Sequence, residues 1–290
     1  MKVLIVSKAQ VVASYEPRLR ELVALGIDLT LIVPPRWGKQ RLEITNPEGY
    51  QLRVLPCRLS GHNHFHFYAG AIGQLDYDLV YLDEEPWSLV TYQFMRRCIR
   101  ERKPAILYTW QNIFKKFPVP FSYFERYALA NADALIAGNK EAEEISIRKG
   151  FTKPIEVIPQ FGTDPEVFCK LELSRKREEL GISKNTFVIG YVGRLLEEKG
   201  IADLLSSLRS LPADCHLLLI GSGPFEAQSR RIARDAGVSD RVTWIAHVPS
   251  LEMPEYMNAL DVLVLPSRTA SNWKEQFGRV LIEAMACEIP

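Results

Sequence analysis

The chain lacks any Cys-x-x-Cys pair: its five cysteines, Cys57, Cys98, Cys169, Cys215 and Cys287, are scattered and odd in number. Neither a disulfide framework nor a zinc knuckle is indicated, and a reducing cytosol suits them. An excess of charge of one sign is also missing, since 36 Lys and Arg stand against 35 Asp and Glu. Nucleic-acid binding by phosphate neutralisation normally shows a basic excess, so no nucleic-acid partner is expected. No apolar run approaches the roughly 18 residues of a membrane span. The N-terminal run Val3–Val6 is shorter than a signal-peptide core. Gly-x-Ser-x-Gly, Gly-Lys-Ser/Thr and His-Glu-x-x-His are absent, which speaks against a serine hydrolase, a P-loop NTPase or a zincin. The Gly-Ser-Gly at 221–223 is followed by Glu226 where a dinucleotide fingerprint has its third glycine, so NAD or FAD is poorly supported.

What remains is an ordinary globular composition, 47% hydrophobic and 24% charged, in 290 residues, about twice a typical domain. Short apolar runs alternate with amphipathic segments. Runs at 3–6, 29–33, 79–82, 106–108, 134–137 and 155–158 read as buried strands, with helices near 16–25, 88–102, 120–131 and 140–149. The pattern restarts with strands at 187–191, 217–220, 242–245 and 262–265 and helices near 200–210, 225–236, 252–259 and 278–287. Strands apolar on both faces, alternating with helices, indicate parallel sheets covered on each side. The fold class is therefore α/β: two tandem Rossmann-like, doubly wound domains, at 1–163 and 164–290, meeting in the IPQFGTDPEVF stretch (158–168).

In such sheets ligands bind beyond the carboxyl ends of the strands, which directs attention to the loops GRLLEEKG, GSGPFE, AHVPS and PSRTASNWKEQFG. Gly193 permits close backbone approach, and Arg194 and Lys199 could bracket a diphosphate near a helix start, or could be solvated helix-start charges. Glu275 and Glu283 are separated by seven residues, with Phe277 and Gly278 at the expected N-terminus of the helix that follows. If the segment were helical throughout, the two acids would lie roughly 12 Å apart, about the span from the sugar to the ribose of a sugar nucleotide. The alternative is two exposed helix acids, against which Glu283 sits among Leu281, Ile282, Ala284 and Met285.

GRLLEEKG, LLLIGSGP and above all EQFGRVLIEAMA resemble the C-terminal domain of family-4 retaining glycosyltransferases of the GT-B fold, and VIPQFGTDPEVF is similar to their interdomain stretch. The resemblance implies transfer of a hexose from a nucleoside-diphosphate sugar to a saccharide or lipid-linked acceptor, across an interdomain cleft, with retention of configuration and no obligatory metal. It implies that Arg194 and Lys199 hold the diphosphate, Glu283 the ribose, and Glu275 the transferred sugar, with Phe277 and Gly278 offering backbone N–H groups. Gly221, Gly223, His247 and Val248 would lie near the base or phosphates. Two departures stand out. The loop after the first strand, SKAQVVASYEP, lacks the family's glycine pair, and TWQN (109–112) replaces a histidine, making Gln111 the candidate for that place. The family also continues past the helix at which this chain stops, so the second domain is expected to be truncated.

Other signals have competing readings. His62, His64 and His66 alternate, and on one strand face could bind zinc, or could lie on a loop or edge strand with partly exposed imidazoles, or line the acceptor side of a cleft. IFKKFPVPFSYFERY (113–127) interleaves aromatics with basic residues, as a membrane-surface segment or as core. Asp83, Glu84 and Glu85 follow a strand and either orient acceptor hydroxyls or cap the next helix. The leading expectation is a cytoplasmic hexosyltransferase, peripheral at most, at the inner face of the membrane. A catalytically silent nucleotide-sugar-binding module and a sugar-nucleotide hydrolase or epimerase of the same fold are the alternatives.

Overall fold

A strand of Val, Leu and Ile buries both faces only if helices cover each side of its sheet. The computed structural model, which describes residues 1–44, 46–69, 75–171, 175–250 and 252–290, meets that demand twice, in the compact units Met1–Pro159 and Gln160–Pro290. The division falls inside the IPQFGTDPEVF stretch, a few residues before the expected 163/164.

Unit 1 carries the strands β1 (Lys2–Ser7), β2 (Asp28–Val33), β3 (Gln51–Val54), β4 (Leu79–Asp83), β5 (Ala105–Thr109), β6 (Ala134–Ala137) and β7 (Ile155–Val157). They form one sheet in the order β7-β6-β5-β4-β1-β2-β3, and every pairing is parallel. The helices are α1 (Pro17–Ala24), α2 (Leu89–Glu101), α3 (Phe121–Asn131) and α4 (Lys140–Arg148). Side chains alternate along β1: Leu4 and Val6 enter a core with Phe94 and Leu107, while Val3 and Ile5 enter another with Leu19 and Leu31. Ser88 begins α2 by accepting from the Thr91 amide, and Asn139 does the same for α4 through Ala142.

Unit 2 carries α5 (Lys176–Glu179), β8 (Phe187–Val192), α6 (Ile201–Leu208), β9 (Cys215–Ile220), α7 (Glu226–Asp235), β10 (Val242–Ile245), α8 (Met253–Met257), β11 (Val262–Leu263) and α9 (Arg279–Ala286). Its sheet runs β10-β9-β8-β11, again parallel. Both sheets therefore grow first to one side of their opening strand and then to the other. The reversals lie between β1 and β4 and between β8 and β11, the places where open parallel sheets leave room for a ligand.

Several elements differ from expectation, three strands of the main sheets among them. β3 was not foreseen, because the edge sequence QLRV is polar at alternate positions and mostly exposed. The strand expected at 262–265 has only two paired residues, and β7 stops one residue short, at Val157. No helix among the described residues is long and apolar enough to cross a membrane.

Candidate functional site

The loop after β8 and the loop after β11 flank the reversal in unit 2. Lys199 ends a short 3-10 turn, and Gly200 then takes a left-handed conformation, φ +71°, to start α6. A Cβ there would stand 1.9 Å from the Pro266 carbonyl oxygen, so the two loops touch only because residue 200 is glycine. Further bonds join them. Arg268 donates through its amide to the Glu198 carbonyl at 2.8 Å and through Nε to Asp203 at 2.5 Å. Ala270 and Trp273 exchange backbone hydrogen bonds across a tight turn. This brings Glu275 to Lys199: Nζ lies 2.5 Å from Oε2, which also accepts from Ser267 Oγ at 2.9 Å. The ammonium sits 4.8 Å from the Trp273 ring centroid, a cation–π geometry. Arg194 is exposed, at the C-terminal end of β8.

Gly278 is the N-cap of α9 at φ +74°, so the helix begins at Arg279 and residues 275–277 are not helical. The expectation of a continuous helix from Glu275 to Glu283, and with it the 12 Å spacing, is corrected: a left-handed residue cannot lie inside a right-handed helix. Phe277 packs 5.9 Å from Phe161. Glu283 is largely buried, with Arg279 Nε 2.8 Å from Oε1. Burial pushes its carboxyl above the ordinary range, against the pull of Arg279. Gly221 and Gly223 have a structural reason of their own. A Cβ at 221 would stand 1.9 Å from the Gly193 carbonyl, and at 223 would stand 2.3 Å from that of Leu195. His247 is exposed, and Val248 is buried among Val188, Ile220 and Leu263.

At the reversal in unit 1 the register pairs Ser7 with Asp83, which sets the residues after β1 against those after β4. Ser7 Oγ and Arg18 each donate to Asp83 at 2.6 Å. Lys8 donates to Glu84 through its amide, at 2.8 Å, and through its ammonium. Glu84 is 2% exposed. Burial alone would raise its pKa, yet the charge of Lys8 and the proximity of His66, 3.4 Å away, hold it below the ordinary carboxylate range. Glu85 turns to β5, accepting from Thr109 Oγ1 at 2.6 Å and the Trp110 amide at 3.1 Å. Burial outweighs those bonds and pushes its pKa up to about 7. The helix-capping reading of these acids is therefore overturned, because Ser88 caps α2 and the carboxylates tie strand ends together. Gln111 is 8% exposed. Its Oε1 accepts from Lys149 Nζ at 3.1 Å, while its Nε2 is buried without a partner among the described residues, a group that requires an explanation.

His62, His64 and His66 do not share a strand. Residues 59–66 turn between two short paired segments, and only His66 is buried. No group of three His, Cys, Asp or Glu among the described residues could hold a metal ion. Sequence reasoning gave Lys8, Ser267 and Trp273 no role; Ser267 and Trp273 lay inside the loop it singled out, and Lys8 stood in the loop marked only as lacking glycine.

With this geometry in view, the model of Glycosyltransferase Family 4 matches residues 19–165, and that of Glycosyl transferases group 1 matches residues 174–290. The chain belongs to glycosyltransferase family 4. It is 30% identical over 174 residues to the 2-deoxystreptamine glucosyltransferase of Streptomyces kanamyceticus, covering 57% of this chain and 43% of that protein. It is 29% identical over 189 residues to the D-inositol 3-phosphate glycosyltransferase of Stackebrandtia nassauensis, covering 60% of this chain and 41% of the relative. The matches thus span less than half of these relatives. Among solved structures, Anabaena HepE in complex with UDP matches 100% of this chain and 79% of its own at a TM-score of 0.73 and 20% identity. The likeness establishes the GT-B fold.

Proposed function

We propose that this chain transfers a hexose from a nucleoside-diphosphate sugar to a saccharide or lipid-linked acceptor, with retention of configuration. The observation that supports it is the Lys199 ammonium, held against Glu275 and Trp273 at the reversal of the unit 2 sheet, with exposed Arg194 on the same loop. An ammonium has three donors; one reaches Glu275, and the others suit phosphate oxygens. As the bond from the anomeric carbon to the leaving oxygen breaks, negative charge grows on the diphosphate. Preoriented cations stabilise that charge more than they stabilise the bound donor, which is the condition for acceleration.

In this reading Glu275 accepts from hydroxyls of the transferred sugar, and Glu283 from the ribose once Arg279 shares it. Gly193, Gly221, Gly223, His247, Val248, Phe277 and Gly278 shape the surroundings of base and phosphates. On the acceptor side Gln111 is the strongest candidate, since an amide donor buried without a partner suits a sugar hydroxyl. Glu84 and Glu85 are then supports, because their carboxylates already hold Lys8 and Thr109. The two cations supply the charge that a metal ion would, and no obligatory metal is proposed.

Calorimetric titration with UDP, GDP and ADP, without metal, tests the reading. Micromolar binding of one nucleotide, lost in Arg194→Ala, is expected. Failure to bind any of the three would refute it, and binding without transfer from any matching sugar donor would leave a silent binding module.

A further inference from the structure

Arg279 occupies a place that helix stability does not explain. It is the first residue of α9, behind the left-handed N-cap Gly278, where the helix dipole disfavours a cation. Its partner Glu283 lies four residues later, the weaker of the two orders for an i, i+4 pair. The pair is also partly enclosed, with 32% of the Arg279 side chain exposed and 13% of that of Glu283. Desolvation offsets much of what such a pair gains. A pair placed for stability alone would have neither this position nor this order.

What the pair does provide is a charged, oriented carboxylate in an apolar setting. On either side of Glu283, Ala284 and Cys287 enter a core with Val188, Ile220 and Leu263, so burial favours the neutral acid. Arg279 opposes burial through its charge and its hydrogen bond. The other titratable groups nearby are neutral or turned elsewhere. Cys287, one turn on, is a thiol that burial, then Cys169 and the Glu283 charge, push up to about 11. From α8, Glu255 meets Lys176 at 2.9 Å and Glu252 is exposed, while past α9 Glu288 meets Lys170 at 2.7 Å. Arg279 Nε lies 2.8 Å from Oε1, and no donor among the described residues takes Oε2. Two adjacent hydroxyls can then share the carboxylate, one at Oε2 and one at the second lone pair of Oε1.

We propose that Arg279 is the positioning residue of Glu283: it keeps the carboxylate ionised and turned to receive the vicinal hydroxyls of a ribose, and so sets a preference for ribonucleotides over 2′-deoxyribonucleotides. This role rests on the donor reading, in which Glu283 takes the ribose. It adds the residue that keeps the acid charged and the discrimination that follows. A neutral carboxyl has lost its charge and one acceptor site, so a 2′-hydroxyl contributes far less to binding there.

The test compares the wild-type chain with Arg279→Met and Arg279→Lys. Calorimetry with UDP, GDP and ADP and with their 2′-deoxy counterparts gives the first readout. The wild type should prefer the ribonucleotide by at least about tenfold, as a hydrogen bond to a charged acceptor implies. In Arg279→Met the preference should fall below about threefold, and affinity should drop more steeply than in the wild type from about pH 8 to about pH 6. Arg279→Lys should restore both, because it returns the charge. The second readout needs no nucleotide: the Glu283 carboxyl carbon, followed by NMR and assigned with Glu283→Gln, should titrate at higher pH in Arg279→Met. Melting temperatures should stay close, since a buried acid without its partner takes up a proton rather than remain charged. Equal carboxyl midpoints in wild type and Arg279→Met overturn the proposal, as does an unchanged preference for ribose. A wild-type chain that binds none of the nucleotides refutes the donor reading instead, and the midpoints then still decide whether Arg279 holds Glu283 charged.

Discussion

In unit 1 the ion pair at the sheet reversal is sealed: the Glu84 side chain has no exposure and that of Lys8 has 17%. In unit 2 the pair at the matching place, Lys199 and Glu275, keeps 17% and 29%. The topologies agree, so the difference lies in what each loop supplies. At the ends of β1 and β4 the chain supplies Ser7 with Asp83 and Lys8 with Glu84, which bond to each other, and buried His66 lies against Glu84. After β8 and β11 it adds a long strap pinned by Arg268 and Gly200, which leaves the pair reachable. A sealed pair gains enough from its geometry and hydrogen bonds to offset desolvation only while both partners remain. A reachable pair contributes little to stability and can exchange a partner for a ligand.

Removing one partner from each pair breaks this comparison most directly. Glu84→Ala leaves the largely covered Lys8 ammonium without its buried partner and should cost about 3 kcal/mol in denaturant unfolding; a loss under about 1 kcal/mol would mean that water takes the place of the carboxylate. Glu85 comes next. Its folded pKa of about 7 lies above the ordinary 4.5, so its contribution is complete below about pH 4.5 and is lost as pH rises through 7. The fall should be on the order of 3 kcal/mol, and a Glu85→Gln variant should show a flatter stability profile over that window. Gly200→Ala puts a Cβ against the Pro266 carbonyl at a left-handed residue and should lose about 1–3 kcal/mol, visible as a lower melting temperature. The smallest stability effect belongs to Glu275→Ala, within about 1 kcal/mol. Yet this variant should lower transfer at least about 100-fold; near-normal turnover would remove Glu275 from the site.

The apolar runs carried the sheet. Val3–Val6 and Leu217–Ile220 are strands because nothing else buries four consecutive large side chains so well, and the edge strand Gln51–Val54 escaped because it buries almost none. The site was legible where its residues are close in sequence: Glu275, Phe277, Gly278 and Glu283 lie on one segment, although the helix starts later than its spacing suggested. What sequence could not show is which loops meet. Lys8 faces Glu84 only through the Ser7–Asp83 register, and Trp273 reaches Lys199 only through a strap whose path depends on Gly200. The three histidines fit the loop reading rather than the zinc reading, since alternation places side chains on one face only where the backbone is extended.

The bonds from Ser7 to Asp83 and from Lys8 to Glu84 each span 76 residues of chain. At a synthesis rate of roughly 5–20 residues per second, β1 waits on the order of ten seconds for its second neighbour. During that interval one edge of its backbone is unpaired, and only the arrival of β4 closes it. Unit 1 thus places β1 in the interior of its sheet, beside the central strand β4, and the nascent chain must keep that strand from other partners until the acids that lock it have been made.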